Sequence, residues 1–412
     1  MRIRAASLVV ASVAVLSLVA TACGGGDGDD AGPSEAESTT IAPADGSSTT
    51  STTEPLLGPP TTRGPAPTVA VEPIGTLGGI SVLSGEPAYR GVLGQVEIDR
   101  NIVAPVALPP APAAEGIAPL TGLALDDPAV AVRPAVLVKI DNTGKGRPQE
   151  ALTQADLVYE QMIEGGFTRL AVAFHTDAPL MGPIRSGRTT DIALIGSLNE
   201  PVFAWSGANL VHAALLRRQP MVDLGAQSRS EYFRAPDRPG TYDLMSEAQT
   251  LLDVAAGRGD GGAPPPHFEY RDDTIGLPAE AEVASTVTVS FPSVTATWDW
   301  DAGAGGWART QDSSEHVDAQ GERVLAANVI VAEVRQVATG SVDTAGSTVF
   351  EQQFLGSGRG WVFTDGHVVE VTWTKPSLRS VATWTTPDGV PVALVPGTTW
   401  IELAPEGKTT FS

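Results

Sequence analysis

Hydrophobic and polar positions divide the chain into four regimes. Leu8 to Ala20 is an apolar run, interrupted only by Ser12 and Ser17, behind Arg2 and Arg4. It is too short for a comfortable membrane span and has the shape of an export signal. From Gly24 to about Gly75, Gly, Ser, Thr, Pro and acids dominate. Such a stretch buries too little apolar surface to offset its ordering entropy, which predicts a flexible tether. Residues 80–106 are more apolar and predict short strands, before the linker-like "PVALPPAPAAEG". The tether is therefore expected over 24–118.

A denser pattern begins near Leu120. "AVLVKID" (Ala135 to Asp141), "TRLAVAFHT" (Thr168 to Thr176) and "PVFAWSG" (Pro201 to Gly207) predict strands. "TQADLVYEQMIEGG" (Thr153 to Gly166) predicts a helix capped by Thr153 and ended by Gly165 or Gly166. "DIALIGSLN", "NLVHAALLRR" and "SEAQTLLDVAAG" predict three more helices, the last capped by Ser246. Alternating strands and helices imply an α/β or α+β first domain over 119–262, with a mixed sheet covered by helices. After Pro264 helical periodicity fades, and "TDGH" and "PDGV" carry hairpin signals. A β-rich second domain is expected over 283–405.

Composition changes the picture in two ways. A formal net charge of -22 on 412 residues excludes non-specific nucleic-acid binding, since phosphate backbones repel an acidic chain. Arg greatly outnumbers Lys, in keeping with a GC-rich genome. Cys23, the only cysteine, closes the signal in "ATAC". It has no disulfide partner, and its place matches a bacterial lipobox, in which the cysteine is acylated. Two or three acyl chains there would anchor the chain to the outer face of the cell membrane.

Against this acidic background, "MGPIRSGRTTD" (Met181 to Asp191) is basic and rich in hydroxyls. Gly182 to Thr189 reads G-x-x-x-x-G-R-T, one residue from a nucleotide-binding loop. Arg in place of Lys and the exported location argue against nucleotide hydrolysis. The remaining expectation is an anion site, with Arg185 and Arg188 as anchors and Ser186 and Thr189 as donors. In the alternative reading the two arginines brace the fold by pairing with Asp191, Glu160 or Glu164. Asp141, Glu164, Arg169, His175 and Ser206 join the candidate set, on the expectation that strand ends gather at one mouth. Glu160 and Glu164 are expected to share a helical face. The five histidines lack close ligand spacing, so no metal is expected, and no cofactor either. His316 and Asp318 read as a turn, "GSGRG" as a hairpin turn, and Trp298, Trp300 and Trp307 as packed β core.

The motifs "PLTGL", "RPAVLVKIDN", "RPQEALTQADLVYE", "EGGFTRLAVAFH" and "GPIRSGR" occur in order, followed by "HVDAQGERVLAANVIV", "GSGRGWVFTDG" and "PGTTWIEL". Together they resemble the YerB-like bacterial lipoprotein family, a two-domain family without an assigned reaction. The resemblance spans roughly Leu120 to Pro405 and implies a surface-anchored lipoprotein. Where that family has a Pro-His-Asn stretch, this chain reads "GTYDLM", with Tyr242 and Asp243 in place of His and Asn. Histidine-dependent chemistry therefore does not carry over. The sequence favours a module that binds an anionic cell-wall or lipid-linked ligand, or a partner protein of unknown identity. An envelope enzyme acting on a phosphodiester or pyrophosphate, with Asp141 or Glu164 as base, and a protein-interaction scaffold are the alternatives.

Overall fold

Val136–Asp141 has no exposed residue, so a strand built from it must be covered on both faces. In the computed structural model, which describes residues 116–412 except 228, 273, 344 and 345, it forms β1 of a mixed eleven-stranded sheet. The export signal, Cys23 and the expected strands at 80–106 lie outside the described residues. After β1 come β2 (Leu157–Met162), β3 (Thr168–Phe174), β4 (Leu180–Met181), helix α1 (Asp191–Ser197), β5 (Val202–Ala204), helix α2 (Leu210–Leu216) and β6 (Val222–Asp223). They are followed by β7 (Tyr232–Arg234), β8 (Leu244–Glu247) and helix α3 (Ala248–Arg258).

From β9 (Glu282–Val283) onward every described element is a strand. β10 (Thr286–Phe291), β11 (Val294–Asp301), β12 (Gly306–Gln311), β13 (Ser314–Glu315) and β14 (Leu325–Ala326) come first. Next are β15 (Asn328–Val334), β16 (Gln336–Val342), β17 (Thr348–Gln352), β18 (Gly356–Thr364) and β19 (His367–Lys375). β20 (Thr383–Thr385), β21 (Thr399–Pro405) and β22 (Thr409–Phe411) complete the chain.

The large sheet runs β20, β19, β18, β15, β21, β2, β3, β1, β5, β6, with β9 beside β19. β21 is parallel to both β15 and β2, so it joins the early and late segments in one sheet. β1, β5 and β6 are mutually parallel, while β3 opposes β1 and β2. A second sheet of β13, β12, β11, β10 and β22, with β14 on β12, covers one face of the first. There Val287, Val289, Trp298 and Trp307 share a core with Val329, Val331, Phe363 and Trp400. Leu251 and Leu252 of α3 and Val136 and Val138 of β1 belong to that same core. Leu137, Phe203 and Ile401 point the other way, into a core with Ile192 and Ile195 of α1. The sheet is mixed, as expected, but the described residues hold only three helices and the molecule is β-rich overall.

Several local expectations are corrected. Residues 153–166 form no α-helix, and Glu164–Gly166 is only a short 3-10 turn. Leu152–Gln154 is a single 3-10 turn, and Leu157–Met162 is a central strand buried at every position. Tertiary burial overrides the helical pattern there, because both faces of β2 meet other layers. Thr153 caps nothing, and its hydroxyl donates to Asp318 at 2.6 Å. Gly165 and Gly166, with φ of 70° and 77°, instead turn the chain from β2 into β3. Ser246 is not the cap of α3, since it donates to the Glu231 carbonyl. "GSGRG" lies inside β18 rather than in a turn. The "TDGH" turn does join β18 to β19, with Asp365 at φ 51° and Gly366 at φ 68°. Trp300 and Trp307 are cross-strand partners, and Trp298 is fully buried.

Candidate functional site

The loop from β4 to α1 packs across the carboxyl end of β1. Arg185 N–H donates to the Lys139 carbonyl at 2.8 Å, and Asp141 N–H to the Pro183 carbonyl at 3.0 Å. Gly182 is required here, because a Cβ would lie 2.1 Å from the Met245 sulfur. The amides of Ile184, Arg185, Gly187 and Arg188 are committed within the protein. Gly187 N–H donates to the Gly207 carbonyl, and Arg188 N–H to the Asp191 carboxylate at 2.7 Å. Those are the groups a phosphate loop would aim at its anion. The near-match to a nucleotide loop therefore does not extend to backbone geometry, and α1 has its own Asp191 at its start.

Side chains bring a different set of charges together. Arg188 makes a two-pronged contact with Glu164, Nε to Oε1 at 2.7 Å and Nη2 to Oε2 at 2.5 Å. Burial pushes the Glu164 carboxyl up, but the hydrogen bonds and charge of Arg188 outweigh it and hold it below the ordinary value. Arg185 forms an ion pair with Asp141 at 3.0 Å and donates to the Thr241 carbonyl at 3.0 Å. Its guanidinium lies 5.2 Å from the centre of the Tyr242 ring. A third guanidinium, Arg169 of β3, is almost wholly buried and donates to the Ser186 carbonyl at 2.8 Å. Its hydrogen bond goes to a carbonyl rather than to a carboxylate, and its Nε is buried without a partner. Burial and the charges of Arg188 and Arg185 lower its pKa to about 9, against the pull of the nearby Asp141 and Glu164 carboxylates. The Ser186 and Ser206 hydroxyls lie 3.4 Å apart beside this cluster.

Asp141, Glu164, Arg169, Arg185, Ser186, Arg188 and Ser206 thus gather at one end of the sheet. Thr189 lies in the same loop but is fully buried, with its hydroxyl unpartnered. His175 does not join them. β3 is antiparallel to β1, with Val136 opposite Phe174 and Asp141 opposite Arg169. His175 therefore sits at the far end, six residues beyond Arg169 and about 20 Å away at strand spacing. The expected single mouth assumed parallel strands. His175 is buried, with Nε2 3.2 Å from the Arg133 carbonyl and its N–H on Asp156. Burial, then Arg133, lowers its pKa to about 4. Glu160 and Glu164 share no face either, since Glu160 lies on β2 and binds Arg309, whereas Glu164 lies in the turn.

Other residues near the cluster carried little sequence signal. Lys139, wholly buried within β1, pairs with Asp191 at 2.7 Å, and Gln161 donates to the same carboxylate oxygen. Burial lowers the Lys139 pKa to about 8, against the pull of Asp191. An inward lysine in an apolar strand was the available clue. Within "GTYDLM", Thr241 and Tyr242 touch Arg185 directly, whereas Asp243 pairs with Arg234. Behind the site, Gln149 and Gln311 donate to the backbone carbonyls of Asp141 and Asn142. His316 links Gln149 to Arg309, and Arg309 bonds Glu160. His316 and Asp318 are buried rather than at a surface turn, and each has different partners. No group of three or more His, Cys, Asp or Glu residues that could hold a metal occurs among the described residues.

Comparison with known proteins places these segments. The N-terminal domain profile of the family described as protein of unknown function (DUF3048) matches residues 120–261. The C-terminal domain profile of that family matches residues 287–401. The chain belongs to the DUF3048 family. A relative in this family, from Bacillus subtilis (strain 168), bears the name "Putative lipoprotein YerB". It is 27% identical over 301 residues, covering 70% of this chain and 86% of the relative. The crystal structure of the YerB protein from Bacillus subtilis has the same fold, with a TM-score of 0.62 at 23% identity. That likeness covers 72% of this chain and 99% of YerB. The two DUF3048 segments meet where β21 pairs with β2. The arginine cluster lies wholly in the first segment, while the hydrogen bonds behind it come from both.

Proposed function

We propose that this DUF3048 protein is an extracytoplasmic, lipid-anchored binding module that holds an anionic group of an envelope ligand at the arginine cluster. The observation that carries this reading is the third guanidinium. Arg185 and Arg188 each have a carboxylate, Asp141 and Glu164, while Arg169 hydrogen-bonds only a carbonyl. A buried guanidinium without its own counter-charge is costly, and an incoming oxyanion offsets that cost. Ser186 and Ser206 supply hydroxyl donors beside it. The lipobox at Cys23 and the name of the Bacillus relative support the anchor.

Calorimetric titration of phosphorylated and carboxylated cell-wall fragments into a soluble Cys23→Ser form tests the binding. Saturable binding that weakens at least tenfold in the Arg185→Ala, Arg188→Ala double variant is expected. An unchanged response in that variant sinks the reading. The carboxylates are poor candidates for a general base, because Arg188 lowers the Glu164 pKa and so weakens it as a base, and Asp141 already accepts from Thr143 twice. A binding role therefore ranks above an enzymatic one.

A further inference from the structure

A second cluster of cations lies beyond the carboxyl ends of β5 and β6, which are parallel and joined through α2. The loop after β5 brings Trp205 and Gly207. The end of α2 brings Arg217, the end of β6 brings Asp223, and the loop after it brings Gln227 and Arg229. These residues enclose a cavity of about 160 Å³. Loops at this end of parallel strands are a recurrent place for ligands in open α/β sheets.

Its charges do not balance. The Asp223 carboxylate is the cavity's one acid, and three donors already occupy it. Trp205 Nε1 and Gly225 N–H reach Oδ1 at 2.8 and 3.0 Å, and Arg217 Nε reaches Oδ2 at 3.1 Å. Arg229 donates instead to the Asp223 backbone carbonyl at 3.1 Å. Two guanidiniums thus face one carboxylate that has little acceptor capacity left. The Arg217 guanidinium carbon lies over the Trp205 ring, 5.4 Å from its centre. Gly207 keeps the wall open. It has a φ of 112°, and a Cβ there would come within 3.0 Å of the Gln227 amide nitrogen.

We propose that this cavity is a small-oxyanion site, taking a carboxylate or phosphate group between Arg217 and Arg229. It is separate from the arginine cluster around Arg169, and the Gly187–Gly207 backbone hydrogen bond lies between the two. The inference stands whether or not the cluster binds a ligand. Guanidinium forks match the geometry of both oxyanions, so the test carries one arm for each. Sodium phosphate and sodium succinate are titrated separately into the soluble Cys23→Ser chain by calorimetry.

Saturable binding of at least one anion is expected. It weakens about tenfold for each arginine removed in Arg217→Ala and Arg229→Ala. Gln227→Glu is the second variant. Gln227 is exposed and already accepts from Arg217 at 3.3 Å, so a carboxylate there leaves the fold intact. That carboxylate would occupy Arg217 and weaken anion binding. The Arg185→Ala, Arg188→Ala variant retains binding at this site. The proposal is overturned by the absence of saturable binding for both anions. It is equally overturned by undiminished affinity in Gln227→Glu and the arginine variants, or by loss confined to Arg185→Ala, Arg188→Ala.

Discussion

Arg309 shows how much a single buried cation can hold. Its guanidinium is wholly buried, 5.5 and 5.0 Å from the ring centres of Trp298 and Trp400. It bonds Glu160, Gln311 and His316. Glu402 is the register partner of Glu160 on β21 and accepts from Trp298 Nε1. Burial and then the Glu160 charge push the Glu402 carboxyl well above its usual range, so it stays protonated. Arg309→Ala would leave Glu160 buried without a counter-charge and is expected to cost about 3–5 kcal/mol in urea denaturation. Adding Glu160→Gln should recover a substantial part of that loss. If the double variant is no more stable than the single one, the ion pair is not the source. At the candidate site, the loop's basic and hydroxyl residues marked it in the sequence. Asp141 and Glu164 were in the candidate set and Glu164 was a named partner, but they lie 44 and 24 positions away from Arg185 and Arg188, so which arginine meets which carboxylate is decided only by folding. Acylation is also a residue-scale expectation: metabolic labelling with radioactive palmitate should mark the native chain and fail in Cys23→Ser.

Elements were legible where local chemistry dictates geometry. "TDGH" specified its turn because two consecutive residues must adopt positive φ, which Asp and Gly tolerate. Gly366 has a further constraint, since a Cβ would lie 2.8 Å from Trp300 Nε1. Gly366→Ala is therefore expected to cost about 1–3 kcal/mol through strain and overpacking. Asp365→Gly should cost less than about 1 kcal/mol, mainly through unfolded-state entropy. Thermal melts of both variants check the ranking, which fails if Gly366→Ala is the milder change. β2 was misread for the opposite reason. Its Glu160 was expected to share a helical face with Glu164, yet Glu160 and the adjacent Gln161 are buried in a strand and bonded to Arg309 and Asp191. A strand whose polar side chains find charged partners in other layers carries no simple period-2 signal.

Across the whole molecule, β21 lies between β15 and β2, so breaking the sheet between its early and late parts exposes long strand edges. A single cooperative calorimetric transition is expected for the described region; two well-separated transitions would contradict it. Protonation acts on the same scale. Burial, as the largest cause, lowers His175, His212 and His267 to about 4 and His316 well below its ordinary value. Their folded pKa values lie below the unfolded value near 6.5, so the stability they contribute is present above it and lost as pH falls toward 4. Asp156, raised to about 6 by burial, and Glu402, raised well above its usual range, act in the opposite sense. Between about pH 6 and 4.5, four histidines take up protons on unfolding and two carboxyls release them. The net uptake lowers stability by roughly 2–3 kcal/mol per pH unit on these groups alone. Urea melts across that window should show it, and His267→Phe should flatten the slope; a stability that rises on acidification would contradict the assignment.

By itself the sequence determined the strands with continuous apolar runs, the Asp-Gly turn, the export and lipobox pattern, and the residue types of the basic loop. Each is set by local backbone chemistry or composition. The tertiary structure alone decided that β2 is a strand, that β3 runs antiparallel and removes His175 from the cluster, and that one sheet spans both segments. It also decided that Arg169 is the guanidinium without a carboxylate of its own. These outcomes depend on which distant groups meet in a low-dielectric interior, where burial and pairing outweigh the small local preferences that a sequence pattern records.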